Sequence, residues 1–333
     1  MQHGATVSVV TAGAAQAGAA TSPTDSDHIR VASVSKAFGG AAALALIARH
    51  TLALDDTIGK WLPSLPKAWD AVTLGELLHH TSGIPDFSAC PSFHTAVIAS
   101  LLNPPPPQQL LSYVENPPCY NAEMPLAFMP GTKYEYSNSD NVIVGLMIEA
   151  ATHEDYSSIM SAIVLQPLGL SGTTLPSSAL MPAPYVHGYA PDPPQAREDV
   201  SEALAAGWSW ASGGVVSTPA DANRFVRAYV RGTLTNSATR AKQFQFVNGS
   251  SEPPGPGTNS AGLAIFRYQT PCGTVFGHTG NTLGYTQFIA ASASGGNSVS
   301  ITVNEQITPK TDQTLFTQLR GIFELGVCAA TKG

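Results

Sequence analysis

Val31-Ala32-Ser33-Val34-Ser35-Lys36 decides the reading of this chain, because it sets a hydroxyl and an amine three residues apart at the head of an apolar run. Residues 37–48, Ala-Phe-Gly-Gly-Ala-Ala-Ala-Leu-Ala-Leu-Ile-Ala, have no polar face. Such a segment suits a helix buried all round and is too short to span a bilayer. With a helix starting near Ser33, positions i and i+3 share a face, so the Lys36 amine stands beside the Ser33 oxygen. A serine hydroxyl is a weak nucleophile until a neighbour takes its proton, and a desolvated lysine of lowered pKa can do so. The helix N-terminus adds free N–H groups and a partial positive charge. Alone, S-x-x-K also fits an N-cap serine with a solvent-facing lysine; a lysine heading a helix with no polar face argues otherwise.

Composition narrows the field. The 333 residues are long enough for one large or two modest domains, and 12% charged against 43% hydrophobic residues describes a folded chain. A net charge of -7 without a basic cluster argues against nucleic acid as partner. No apolar run reaches bilayer length. The four cysteines, Cys90, Cys119, Cys272 and Cys328, form no C-x-x-C or Cys/His pattern, and His79-His80 lacks an H-E-x-x-H partner, so neither a zinc site nor any other metal or cofactor is expected. Two disulfides in an exported protein is the preferred reading, with buried free thiols the alternative. Cys90 and Cys119 bracket the tetraproline Pro104–Pro107, where a bridge would close an otherwise loose insertion. No signal peptide is recognisable, and a mature secreted form is expected.

Along the chain, residues 5–10 read as a strand and 13–27 as a loop or hairpin leading to Ser33. Thr73-Leu-Gly-Glu76 has capping-box spacing and opens a helix ending near Ser82-Gly83. The proline-rich stretch 85–130 reads as an irregular insertion with a short helix at Gln108–Val114, and 167–170 and 182–194 as loops. A helix carries Val142, Ile143, Leu146 and Ile148, and another runs from the Thr218 cap, with Pro219 at N1 and Asp221 in the first turn, to Gly232. Strands are expected at 262–268, 273–276, 285–291 and 298–304, the last alternating Val299, Ile301 and Val303 with Ser298, Ser300 and Thr302. Ser294-Gly-Gly-Asn297 supplies a turn, and Leu315, Phe316, Leu319, Ile322 and Phe323 stripe a closing helix. The pattern is that of an α/β protein of the α+β type: an antiparallel sheet from both chain ends, backed by helices (1–54 and 207–333), around a mostly helical inserted domain (55–206).

Two more clusters carry chemistry. Tyr136-Ser137-Asn138 sets a phenol and an amide on one side of an extended segment. The phenol can pass a proton to a leaving group, and Asn138 can hold the lysine or a substrate amide; a helix-capping turn is the plain alternative. Gly277-His278-Thr279-Gly280-Asn281 lies on a strand where glycines let a backbone approach, and its N–H groups could complete an oxyanion hole with that of Ser33.

Taken together, Ser33-Val-Ser-Lys36, Tyr136-Ser-Asn138 and His278-Thr-Gly280 resemble the serine penicillin-recognising family, whose S-x-x-K signature comes with a polar triplet and K-T-G. The Y-S-N and H-T-G pair looks most like its soluble, secreted D-alanyl-D-alanine carboxypeptidases and D-aminopeptidases; class C β-lactamases carry lysine where this chain has His278. Leu78-His-His-Thr-Ser-Gly-Ile-Pro85, Pro130-Gly-Thr132, Gln166-Pro-Leu-Gly-Leu170 and Ser212-Gly-Gly-Val-Val-Ser-Thr218 extend the likeness over nearly the whole chain.

The resemblance implies a β-lactamase/transpeptidase-like fold with Ser33 as acylated nucleophile and Lys36 and Tyr136 as proton-transfer pair. It implies Asn138 on the substrate amide, His278 and Thr279 at the substrate terminus, and the N–H groups of Ser33 and Asn281 as oxyanion hole. It pairs Cys272 with Cys328 and implies small peptide or amide substrates with D-residues, β-lactams as covalent ligands, and a monomer. Trp210 is expected either to wall the cleft or to fill the core, and Arg267 is the nearest cation for a substrate carboxylate. Two alternatives keep the scaffold: a D-amino-acid amidase, esterase or β-lactamase, and a non-catalytic sensor that acylates once. The family's N-terminal helix has no counterpart, which leaves some sheet surface open.

Overall fold

The computed structural model describes residues 1–332 apart from 116–118, 120, 122 and 191–197. Among the described residues there are ten strands: β1 (Gln2–His3), β2 (Thr6–Val7), β3 (Ile29–Arg30), β4 (Val216–Ser217), β5 (Val247–Asn248), β6 (Thr258–Gly262), β7 (Ile265–Thr270), β8 (Gly273–Thr282), β9 (Tyr285–Ser292) and β10 (Asn297–Val303). Eight of them form one sheet in the order β2-β1-β10-β9-β8-β7-β6-β5, and β3 pairs with β4. Both chain ends thus meet in one antiparallel sheet, with Gln2 opposite Ser298.

Helices α1 (Ser35–Ala48), α2 (Ile58–Trp61), α3 (Leu74–His79), α4 (Pro91–Ala99), α5 (Pro107–Glu115), α6 (Asn138–Thr152), α7 (Tyr156–Met160) and α8 (Gln166–Leu168) precede β4; α9 (Pro219–Arg231), α10 (Ser237–Gln243) and α11 (Gln313–Lys332) follow it. Local signals explain several ends. The Thr73–Glu76 capping box opens α3, Thr218 accepts from the Asp221 N–H at the head of α9, and Gly232 closes α9 in the left-handed region.

Each face of the sheet has its own cover. On one, Phe288, Val299 and Tyr268 pack against Phe316, Leu319 and Phe323 of α11, with Phe288 and Phe323 stacked at 4.8 Å. Gly326 leaves room for Ile301. On the other, Ile265, Phe276 and Ile289 belong to a core that runs through α1 into α6 and α9. There Phe38 stacks on Phe225 at 3.8 Å. Helix α1 is buried on all sides from Ser35 to Leu46, as its composition requires.

The structure departs from the pattern in three places. Residues 8–10 leave the sheet after Val7, so the first strand collapses to two short pieces with exposed Val9 and Val10. The strand expected at 262–268 is a hairpin, because Leu263-Ala264 turns the chain between β6 and β7. The proline-rich insertion holds α4 as well as α5; Pro91 occupies the first turn of α4, where a missing N–H costs nothing. A groove of about 960 Å³ lies between α9, α11, β10 and residues 7–12, where the sheet was expected to be left open.

Both disulfides form, Cys90–Cys119 and Cys272–Cys328. The second ties α11 to the β7–β8 turn across 56 residues, a loop whose closure is worth about 4 kcal/mol in the chain-entropy treatment. Replacing Cys272 and Cys328 together by Ser is expected to lower unfolding free energy by that order in reversible denaturation; an unchanged midpoint would show that the bridge adds nothing to the α11 packing.

Candidate active site

The turn 32–34 is a 3-10 helix, and α1 proper begins at Ser35, so Ser33 stands just ahead of the long helix. Ala32 is held at a positive φ of 49°, which turns the chain sharply into the nucleophile position. The buried Ser35 hydroxyl donates to the Ala32 carbonyl at 2.6 Å and accepts the Val215 N–H at 3.0 Å, pinning this turn to the segment before β4.

Lys36 is wholly buried. Its Nζ lies 3.0 Å from Ser33 Oγ, 2.7 Å from Asn138 Oδ1 and 2.7 Å from the Ser212 carbonyl. Asn138 is oriented from behind, since its Nδ2 donates to Asp86 Oδ2 and Ser88 Oγ, each at 2.9 Å. A carboxylate only accepts, so the amide oxygen must face the lysine. This geometry decides what a neutral Lys36 can do. Its two N–H bonds go to the Asn138 and Ser212 oxygens, which leaves the nitrogen lone pair for the Ser33 hydroxyl proton. Burial lowers the Lys36 pKa from 10.5 to about 7, against the opposing pull of Asp86, Glu252 and Asp140. A substantial neutral fraction therefore exists near neutral pH.

Tyr136 faces the same oxygen from the other side. Its ring lies 5.0 Å from Lys36 Nζ, and the hydroxyl is buried without an aligned hydrogen-bond partner. Burial pushes the phenol well above its usual pKa, while the adjacent Ser33 hydroxyl acts in the opposite sense. The phenol is thus a proton donor at rest. Strand β8 completes the convergence: a Cβ on Gly280 would fall 2.2 Å from the Val31 carbonyl and 3.3 Å from Ser33 N. Only glycine lets the strand lie this close to the nucleophile turn. Asn281 follows directly, and its side chain is anchored away on Thr286 Oγ1 and the Ile307 carbonyl.

Other expected residues take different places. His278 and Thr279 are wholly buried and do not open to a substrate. Segment 249–257 covers them: Thr279 Oγ1 donates to the Pro253 carbonyl at 2.6 Å. His278 Nδ1 lies 2.5 Å from the Thr279 carbonyl, and burial lowers the ring's pKa to about 3, so it cannot serve as a cation. Asn138 holds the lysine and has no amide proton left for a substrate. Trp210 is partly buried and packs against the core. Its backbone is left-handed, and its ring packs on Gly145 and at 5.0 Å on Tyr156. Arg267, on β7, is half-buried; its Nε donates to Ser260 Oγ at 2.9 Å and its guanidinium lies over Phe246.

Sequence reading missed Asp86, Ser88 and the Ser212 carbonyl. Asp86 and Ser88 lie in the stretch read as an irregular insertion, Ser212 in one marked only as a landmark, and a backbone carbonyl leaves no trace in residue type. Among the described residues no cluster of His, Cys, Asp and Glu is arranged to hold a metal.

With this geometry in view, comparison with known proteins is direct. The profile of the Beta-lactamase family matches residues 1–322. The chain belongs to that family. Penicillin-binding protein 4* of Bacillus subtilis (strain 168) is 25% identical over 274 residues, 77% of this chain and 56% of that protein. Esterase EstB of Burkholderia gladioli is 31% identical over 188 residues, 54% of this chain and 46% of the esterase. This chain therefore spans about half the length of these relatives. Among solved structures, a D-stereospecific amidohydrolase from Streptomyces sp. superposes with a TM-score of 0.76 at 27% identity, over 89% of this chain and 87% of that one. The antiparallel sheet with its helical cover is thus the β-lactamase and penicillin-binding-protein fold.

The Lys36 environment fixes a pH dependence. A group whose folded pKa lies below its unfolded value opposes folding while charged, and that cost is relieved as pH rises from about 7 towards 10.5. Lys36→Met is accordingly expected to melt several degrees above the parent at pH 6, with the gap narrowing by pH 9.5. A constant gap in thermal scans at the two pH values would disprove the buried, weakened amine.

Proposed function

We propose that this member of the Beta-lactamase family is a serine acyl-transfer hydrolase that acylates Ser33. The Lys36 contacts carry the reading, because the two acceptor oxygens leave the neutral amine only the Ser33 hydroxyl to deprotonate. In the proposed sequence, Lys36 takes the Ser33 proton as Oγ adds to the substrate carbonyl. The resulting oxyanion is received by the N–H groups of Ser33 and Asn281. The C–N or C–O bond then breaks, with a proton reaching the leaving group from Tyr136, which is resupplied by Lys36. Water adds to the acyl-enzyme with Lys36 and Tyr136 again moving the proton, and Ser33 is released.

The covered His278–Thr279 pair favours a leaving group without a carboxylate. A D-Ala-D-Ala carboxypeptidase needs a cation or free donors for the substrate carboxylate. Here His278 is neutral, Thr279 is taken by Pro253, and Glu252 stands near Lys36. We therefore place amide and ester hydrolysis, with D-residues as the acyl part, ahead of carboxypeptidase action. The similarity to a D-stereospecific amidohydrolase and to an esterase supports that order. Carboxypeptidase or penicillin-binding activity is the second reading, supported by the similarity to penicillin-binding protein 4*. Two disulfides fit an oxidising, extracytoplasmic setting, and no described helix is long and apolar enough to cross a membrane.

A substrate panel tests this. D-amino-acid amides and short p-nitrophenyl esters are expected to exceed D-Ala-D-Ala peptides and nitrocefin by tenfold or more in kcat/KM. Ser33→Ala should lower turnover by roughly a millionfold. The wild-type rate should rise tenfold per pH unit below about 7 and level off above it, as Lys36 loses its proton. A fluorescent β-lactam or a fluorophosphonate should add one equivalent at Ser33 by mass spectrometry. Turnover that survives in Ser33→Ala, or a rate flat from pH 5 to pH 9, would reject the mechanism.

A further inference from the structure

Behind Tyr136 lies a second enclosed polar group that the proposed reaction does not use. His80 caps α3 at a left-handed φ of 56° and is 4% exposed, and Asp140, in the first turn of α6, is 0% exposed. His80 Nδ1 and Asp140 Oδ2 are 2.9 Å apart. The Ser82 hydroxyl donates to the other carboxyl oxygen at 2.6 Å while its own oxygen accepts the Ile84 N–H at 3.0 Å. Each oxygen of Asp140 therefore has a neighbour able to donate.

The imidazole ring lies against Tyr136, with centroids 4.6 Å apart and planes at 34°. The His80 carbonyl accepts the Glu135 N–H at 2.9 Å, so side chain and backbone both grip the segment bearing the phenol. Asp140 is also two residues from Asn138 on the same helix. A buried, strained, non-glycine residue with both backbone and ring committed to one neighbour is costly unless the surroundings require it.

We propose that His80 and Asp140 are positioning residues for this chemistry: Asp140, held by Ser82, fixes the His80 ring, and that ring fixes the Tyr136 phenol beside Ser33. The proposal rests on the acyl-transfer reading above. The Ser137 N–H also points at His80 Nδ1, at 3.4 Å, so the ring is gripped from the residue next to the phenol as well. Burial, with Asp86, drives Asp140 up against the opposing pull of Ser82 and Lys36, and burial drives His80 down, so the ring is held uncharged beside the phenol.

Two positions are tested. His80→Asn tolerates the left-handed backbone and can still hydrogen-bond Asp140, but removes the ring from Tyr136. It should cost at least tenfold in kcat on the pH plateau, with KM and melting temperature little changed. Asp140→Asn keeps the shape and a hydrogen-bonding partner for His80 Nδ1 and should retain most of kcat, whereas Asp140→Ala frees the ring and should lose severalfold in kcat with KM unchanged. Should Asp140→Ala not fold, Ser82→Ala, which frees the Asp140 side chain, should show the same loss in smaller measure. Labelling of Ser33 by a fluorescent β-lactam or a fluorophosphonate is followed in parallel. If wild-type Ser33 is labelled by neither, the acyl-transfer reading itself has failed. If it is labelled, yet His80→Asn and the Asp140→Ala and Ser82→Ala variants keep full kcat, the positioning role is overturned.

Discussion

A primary amine enclosed in an apolar helix governs the architecture of this protein. Lys36 sits near the start of a helix buried on every side, and its burial is tolerable because three oxygens surround it: Ser33 Oγ, Asn138 Oδ1 and the Ser212 carbonyl. These oxygens come from three distant stretches of chain. The helical insertion, the nucleophile turn and the segment before β4 must close around one nitrogen, so the requirement that anchors the fold is also the one that readies the hydroxyl.

The ring of support around this nitrogen is extensive. Asp86 and Ser88 hold the Asn138 amide, Ser35 pins the Ala32 turn to Val215, and Gly280 lets β8 lie against Val31. None of these touches Ser33 Oγ, yet each removes a way for the lysine or the strand to drift. Such layered restraint is what keeps a reacting group within a fraction of an ångström of its working position.

How much of this could be read from residues alone depends on the kind of signal. The apolar run 37–48, the Thr73–Glu76 box, the Thr218–Pro219 start and the β10 alternation are local, and the structure carries all four. Ser33, Lys36 and Tyr136 were singled out by the order and spacing of three motifs that resemble one family, and the structure sets Lys36 Nζ 3.0 Å from Ser33 Oγ. The β6–β7 turn at Leu263-Ala264 was not, because it contains no Gly, Pro or Asn to mark it and is set by packing, including Ala264 against Gly40 of α1. Arg267, Trp210 and His278 could not be placed from residue type. Arg267 takes Ser260 across the ladder and lies over Phe246, Trp210 is partly buried with its ring on Gly145 and Tyr156, and His278 is enclosed by a loop that no short motif announces.

The Cys90–Cys119 bond lies far from the reacting oxygen in chain terms but near it in consequence. Cys90 stands two residues beyond Ser88 and four beyond Asp86, the pair that orients Asn138. It also joins the 3-10 turn at Phe87–Ala89 to the head of α4. The covalent link therefore stiffens the very loop that tells the amide which way to face. Lysine alignment in this protein is in that sense answerable to oxidation: a chain that folds with its thiols reduced must hold the same loop by packing alone.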